Sequence, residues 1–70
     1  MPFVSIRLIE GRSAQQKEEI ARRVTVAISE VTGLPRDDVW VVFEEFAAAD
    51  WYLGDRSVAA RRAKPATAAE

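Results

Sequence analysis

Between Ser13 and Pro35 the chain carries a helix with both ends written into it, and an apolar strand lies on either side. Ser13-Ala14-Gln15-Gln16 fits the S-x-x-Q capping box, in which the hydroxyl and the amide each satisfy a backbone donor of the first turn. Ile20, Val24, Ala27, Ile28 and Val31 follow at i, i+4, i+7, i+8 and i+11 as one apolar stripe, with Lys17, Glu18, Arg22, Arg23 and Glu30 on the wetter sides. Gly33 suits the left-handed residue that closes a helix, and Pro35 forbids continuation. Strands joined by so long a crossover run parallel, with a right-handed connection. The predicted fold class is α+β (α/β): one β-α-β unit with a right-handed crossover and a short C-terminal hairpin, assembled as an oligomer.

The first strand runs from Phe3 to Ile9, with Val4, Ile6 and Leu8 on one face and Phe3, Ser5, Arg7 and Ile9 on the other. Glu10-Gly11-Arg12 makes the turn into the helix, and Gly11 is free to take a positive φ there. Beyond the helix, Pro35-Arg36-Asp37-Asp38 reads as a turn and Val39 to Phe46 as the second strand. Val39, Val41 and Phe43 share one face of it, Trp40, Val42 and Glu44 the other, so burial on most of both faces is expected. Ala47 to Asp50 makes a short turn or helical loop, Trp51-Tyr52-Leu53 a short strand and Gly54-Asp55 a tight turn. Ser57 to Lys64 reads as a frayed helix or an arm laid on a neighbour, and Pro65 to Glu70 as disordered. Residues 2–56 are thus expected to form the domain and 57–70 a partly disordered arm.

Two strands and one helix do not make a self-sufficient sheet. The helix covers one face, leaving Phe3, Ile9, Trp40 and Val42, each worth roughly 1.5–3 kcal/mol when buried. A chain of 70 residues is marginal alone, and with no cysteine and no histidine it lacks disulfides, thiolate zinc and imidazole ligands. Self-association is the remaining remedy. The missing histidine also removes the commonest general base and every His-containing triad. A net charge of −1 with interspersed signs argues against a nucleic-acid partner. No apolar run approaches a membrane span and no signal peptide is evident, so a cytoplasmic location without membrane contact is expected.

One position offers chemistry. Pro2 follows the initiator methionine, whose removal a small second residue permits, and the first strand runs straight out of it. Its nitrogen would then be a secondary amine. An α-amino group titrates at about 7.7–8, and apolar burial with a nearby cation favours the neutral form further. Neutral, that nitrogen is a base or nucleophile at physiological pH. As a strand-initiating proline alone, it would simply lack an N–H where none is needed.

Pro2, an alternating strand ending in Leu8-Ile9-Glu10-Gly11-Arg12-Ser13, the Gln16-Lys17 that follows, Gly33-x-Pro35, the strand Val39 to Glu45 and Trp51-Tyr52-Leu53-Gly54 together resemble the 4-oxalocrotonate tautomerase family. The likeness covers about residues 2–55. It implies a homohexamer built as a trimer of β-α-β dimers, acting on small carboxylate substrates, in aromatic degradation among other settings, with no cofactor and no metal. It also implies that Pro2 is the general base of a keto–enol tautomerase acting on a 2-hydroxydienoate or the enol of a 2-oxo acid. Pro2 would take a proton at one point of the conjugated system and return it at another. By position, Arg12 would hold a carboxylate, while Ile9 and Trp51 would line an apolar pocket.

Dicarboxylate-specific members carry a second arginine where Trp40 stands, and an indole brings one N–H donor but no charge. The loss amounts to several kcal/mol of oxyanion stabilisation. A substitute cation (Arg7, Arg56, Arg61 or Arg62) or a different substrate is expected, a monocarboxylate 2-oxo acid or aryl pyruvate enol ahead of a dicarboxylate, with Trp40 as a binding surface. Pro35-Arg36-Asp37-Asp38-Val39 and Ala49-Asp50-Trp51 also resemble the malonate semialdehyde decarboxylase and haloacrylate dehalogenase relatives, where a carboxylate such as Asp37 activates water. The alternatives are therefore a Pro2-dependent hydratase, dehalogenase or decarboxylase, and a noncatalytic oligomeric binding module.

Overall fold

Phe3–Ile9 forms strand β1, Ala14–Thr32 helix α1 and Trp40–Phe46 strand β2. Strands β3 (Tyr52–Leu53) and β4 (Arg56–Ser57) and helix α2 (Val58–Ala63) complete the computed structural model, which describes residues 1–63. β1 and β2 pair in parallel, in register from Phe3 opposite Trp40 to Ile9 opposite Phe46, as the crossover predicted. Helix α1 opens on the capping box read in the sequence: Gln16 N–H donates to Ser13 Oγ (3.0 Å) and Ser13 N–H to Gln16 Oε1 (2.9 Å). It closes at Gly33, whose φ of 80° suits a residue without Cβ and whose N–H donates to the Ser29 carbonyl (2.8 Å).

The helix lies on the face of the sheet that carries Val4, Ile6, Leu8, Val41, Phe43 and Glu45, where Lys17 Nζ meets Glu45 Oε2 at 3.1 Å. Two expectations about α1 are corrected there. Lys17 is turned inward, its side chain only 27% exposed, because Glu45 offers it a carboxylate at the end of the strand. The half-buried side of the helix comprises Lys17, Ala21, Val24, Thr25 and Ile28, whereas Ile20, Ala27 and Val31 are exposed, Val31 at 87%. At 3.6 residues per turn those three lie on a flank roughly 80° around from the covered stripe. A two-stranded sheet is narrower than the apolar arc of its helix.

The second face of the sheet carries Phe3, Ser5, Arg7, Ile9, Trp40, Val42, Glu44 and Phe46, and among the described residues no helix packs over it. Trp40 is 52% exposed and Phe3 61%, so the expected burial of β2 on both faces is not met within one chain. Along this face Phe3 and Trp40 rings stand 6.5 Å apart, and Glu44 accepts from Arg7 Nε at 3.1 Å and Ser5 Oγ at 3.4 Å.

After a 3-10 turn at Ala48–Asp50, β3 and β4 form the antiparallel hairpin, with Tyr52 opposite Ser57. Val58 N–H donates to the Trp51 carbonyl (2.8 Å) and its side chain is buried, so Val58–Ala63 is a helix folded back on its own chain. The disorder expected from Pro65 to Glu70 falls outside the described residues.

Candidate active site

Pro2 sits half-buried at the start of β1, where its carbonyl accepts the N–H of Trp40 (2.9 Å). That bond extends the β1–β2 ladder by one step and fixes the proline backbone beside the indole. Trp40 and Phe3 form the aromatic surface next to it, both on the uncovered face.

At the other end of β1, Ile9 lies opposite Phe46, and the Phe46 ring meets Trp51 edge-on at 6.0 Å. Edge-to-face packing of this kind favours an ordered pair. Glu10 N–H donates to the Phe46 carbonyl (2.8 Å), and Gly11, at φ 128°, turns the chain so that Arg12 stands just before the helix cap. Arg12 is exposed and makes no hydrogen bond or ion pair among the described residues. The site residues thus fall into two groups within one chain: Pro2 with Trp40, and Ile9 with Trp51 and Arg12. Strand residues rise about 3.3 Å each, so Pro2 and Ile9 are separated by roughly 23 Å.

Of the cations considered as substitutes for the second arginine, Arg7 is paired with Glu44 on the uncovered face. Arg56 and Arg61 are also engaged in interactions of their own. An open concavity of about 360 Å³ lies beside Arg12, lined by Arg12, Gln16, Glu19, Ile20 and Arg23. Glu19 anchors it: Oε2 accepts from Arg22 Nη2 (2.6 Å) and Arg23 Nε (2.7 Å), and Oε1 from Arg22 Nε (3.2 Å). Hydrogen bonds from Arg22 and then Arg23 hold the Glu19 carboxyl down at about 2. Arg22 and Arg23 lie on the wetter helix side expected of them, and Glu19, which no expectation included, joins them. Their i, i+3 and i, i+4 spacing was the signal for this triad. Phe46 was likewise missed as a partner of Trp51, because the turn between them sets that contact. Among the described residues no group of three acidic, His or Cys side chains could hold a metal ion, and no helix is long and apolar enough to cross a membrane.

One β-α-β unit with a proline-led first strand, and with one sheet face that no other described element covers, defines a small subunit of the α/β kind. This chain belongs to the tautomerase family: the family described as tautomerase enzyme matches residues 2–61. It is 38% identical to a probable tautomerase of Bacillus cereus over 56 residues, 80% of this chain and 92% of that one. Its fold is similar to that of TomN, a 4-oxalocrotonate tautomerase homologue in the tomaymycin biosynthetic pathway (TM-score 0.85, 41% identity, 91% and 98% of the two chains). It also resembles a heterohexameric 4-oxalocrotonate tautomerase from Chloroflexus aurantiacus (0.79, 32%, 84% and 95%). A structure analysed for trans-3-chloroacrylic acid dehalogenase activity is similar too (0.70, 29%, 74% and 98%).

Proposed function

We propose that this chain, after loss of Met1, is a cofactor-independent keto–enol tautomerase in which the Pro2 nitrogen is the general base. The substrate class is a 2-hydroxydienoate or the enol of a 2-oxo acid. The observation that carries this reading is a proline at the head of β1, its backbone fixed by Trp40, in a chain of the tautomerase family. The nitrogen takes a proton at one end of the conjugated enol, becomes a prolinium, and returns the proton to carbon at the other end. Nothing is gained or lost. A secondary amine suits both halves of the cycle when its pKa lies close to the working pH. Arg12 holds the substrate carboxylate, and Trp40, Ile9 and Trp51 supply apolar walls that keep the amine neutral.

Pro2 stands at one end of β1 and Ile9, Trp51 and Arg12 at the other, so a site that uses all of them takes the second group from another copy of the chain. The uncovered sheet face provides the surface for such an assembly, a homo-oligomer for which a hexamer is our working form, and the lack of cysteine suits a cytoplasmic setting. With Met1 retained, the Pro2 nitrogen is an amide and has no usable basicity. Intact mass of the purified protein gives the processing state. Pro2→Ala is expected to slow phenylenolpyruvate ketonisation by about 10²-fold; an unchanged rate overturns the assignment. The likeness to the dehalogenase-associated structure supports a second reading, a Pro2-dependent hydration, and release of halide from 3-chloroacrylate would favour it.

A further inference from the structure

Resting on the shared site which that reading requires, we propose that the Arg7–Glu44 pair on the uncovered sheet face is a self-recognition element. It seats a second copy of this chain on that face, Arg7 of each copy meeting Glu44 of another. The face is apolar at both ends, with Phe3 opposite Trp40 at one and Ile9 opposite Phe46 at the other. All its formal charge lies in one row between them, where the parallel register sets Arg7 directly opposite Glu44. Glu44 Oε1 is used twice, accepting from Arg7 Nε at 3.1 Å and from Ser5 Oγ at 3.4 Å. Among the described residues, the terminal N–H groups of Arg7 donate to nothing and Glu44 Oε2 accepts nothing.

With side chains 70% and 48% exposed, the pair does little for one chain, since water competes for both charges. Covering the face changes that. A purely apolar partner would strip water from the unused guanidinium donors and from Oε2 and leave them unmatched, which is strongly unfavourable. The occupant therefore has to bring an anion and a cation at the spacing of the same row. A second copy does so by construction, whether the contact is reciprocal about a two-fold axis or passed head to tail around a ring. Phe3, Trp40 and Val42, all exposed, supply the apolar area, and the charged row decides which chain covers it.

The test is a charge swap. Arg7→Glu together with Glu44→Arg keeps an ion pair within each chain but reverses its sign towards any other copy. The double variant is expected to assemble with itself as the wild type does. Refolded with an equal amount of isotope-labelled wild type, it should sort into separate homo-oligomers by native mass spectrometry, with mixed species at least about tenfold below their statistical share. Arg7→Glu alone should weaken assembly by about tenfold or more while the helical circular dichroism is kept, and adding Glu44→Arg should restore assembly. Statistical mixing of wild type and swap, with both assembled, overturns the role of the pair and leaves the shared site standing. Failure of the folded double variant to assemble does the same. A wild type that stays monomeric gives the face to another occupant and overturns the pairing and the shared site alike. Sorting alongside ketonisation indifferent to Pro2→Ala upholds the pairing and overturns the tautomerase assignment.

Discussion

In the proposed tautomerase, Trp40 is the residue on which substrate choice would turn. It donates its backbone N–H to Pro2, presents its ring beside Phe3 and occupies the position where dicarboxylate tautomerases are expected to carry an arginine. An indole face favours flat, apolar substrate ends, while a guanidinium favours anionic oxygen. Trp40→Arg is accordingly expected to raise kcat/KM for a 2-hydroxymuconate by roughly 10–100-fold, the equivalent of one charge-assisted hydrogen bond. Parallel assays on an aryl enolpyruvate should show a fall. No change on either substrate would remove Trp40 from the site. Pro2, Arg12, Ile9, Trp40 and Trp51 were all legible as candidates because each belongs to a short local pattern. Which of them meet was not. Phe46 finds Trp51 only through the path of the intervening 3-10 turn, and Arg22 and Arg23 meet on Glu19 only through its side-chain direction.

Helix α1 shows what periodicity decides and what it leaves open. Its ends were readable to the residue, since capping is a matter of a few adjacent side chains: Ser13, Gln16 and Gly33. Its inward side was not, because a helix with a wide apolar arc rotates to suit whatever sheet it meets, and here it turned Lys17 onto Glu45 and Val31 to the outside. The outer side of α1 is held by Glu19 with Arg22 and Arg23, and its strength depends on pH. Glu19 is depressed to about 2 from an ordinary 4.5, so its contribution is complete above about pH 4.5 and is lost as pH falls towards 2. Between those limits, Glu19→Gln is expected to flatten the pH dependence of thermal stability relative to wild type. A carboxyl chemical-shift titration of Glu19 gives the same midpoint independently; a midpoint near 4.5 would show the triad broken in solution.

The molecule as a whole has little interior of its own. Among the described residues only Val39 and Val58 fall below a tenth exposed, at 8% each, while Phe3, Trp40, Val42 and Phe46 stand open on one face of the sheet. Such a chain is marginal as a monomer, and the surplus of apolar strand positions is what speaks for the proposed assembly. That assembly would also set the chemistry. If Pro2 and Arg12 act in one site from two chains, Pro2→Ala and Arg12→Ala subunits, each impaired alone, should complement each other after unfolding and refolding together. Random association in equal amounts gives about one quarter of sites both groups, and so about one quarter of wild-type activity. Activity no higher than that of either variant alone would place both groups within one chain. The length of β1 then has a genetic consequence. A subunit damaged at both termini of that strand would not merely be idle: it would silence the centre it faces on one side and the centre it serves on the other, so a minority of defective copies would depress the whole population's output beyond their share.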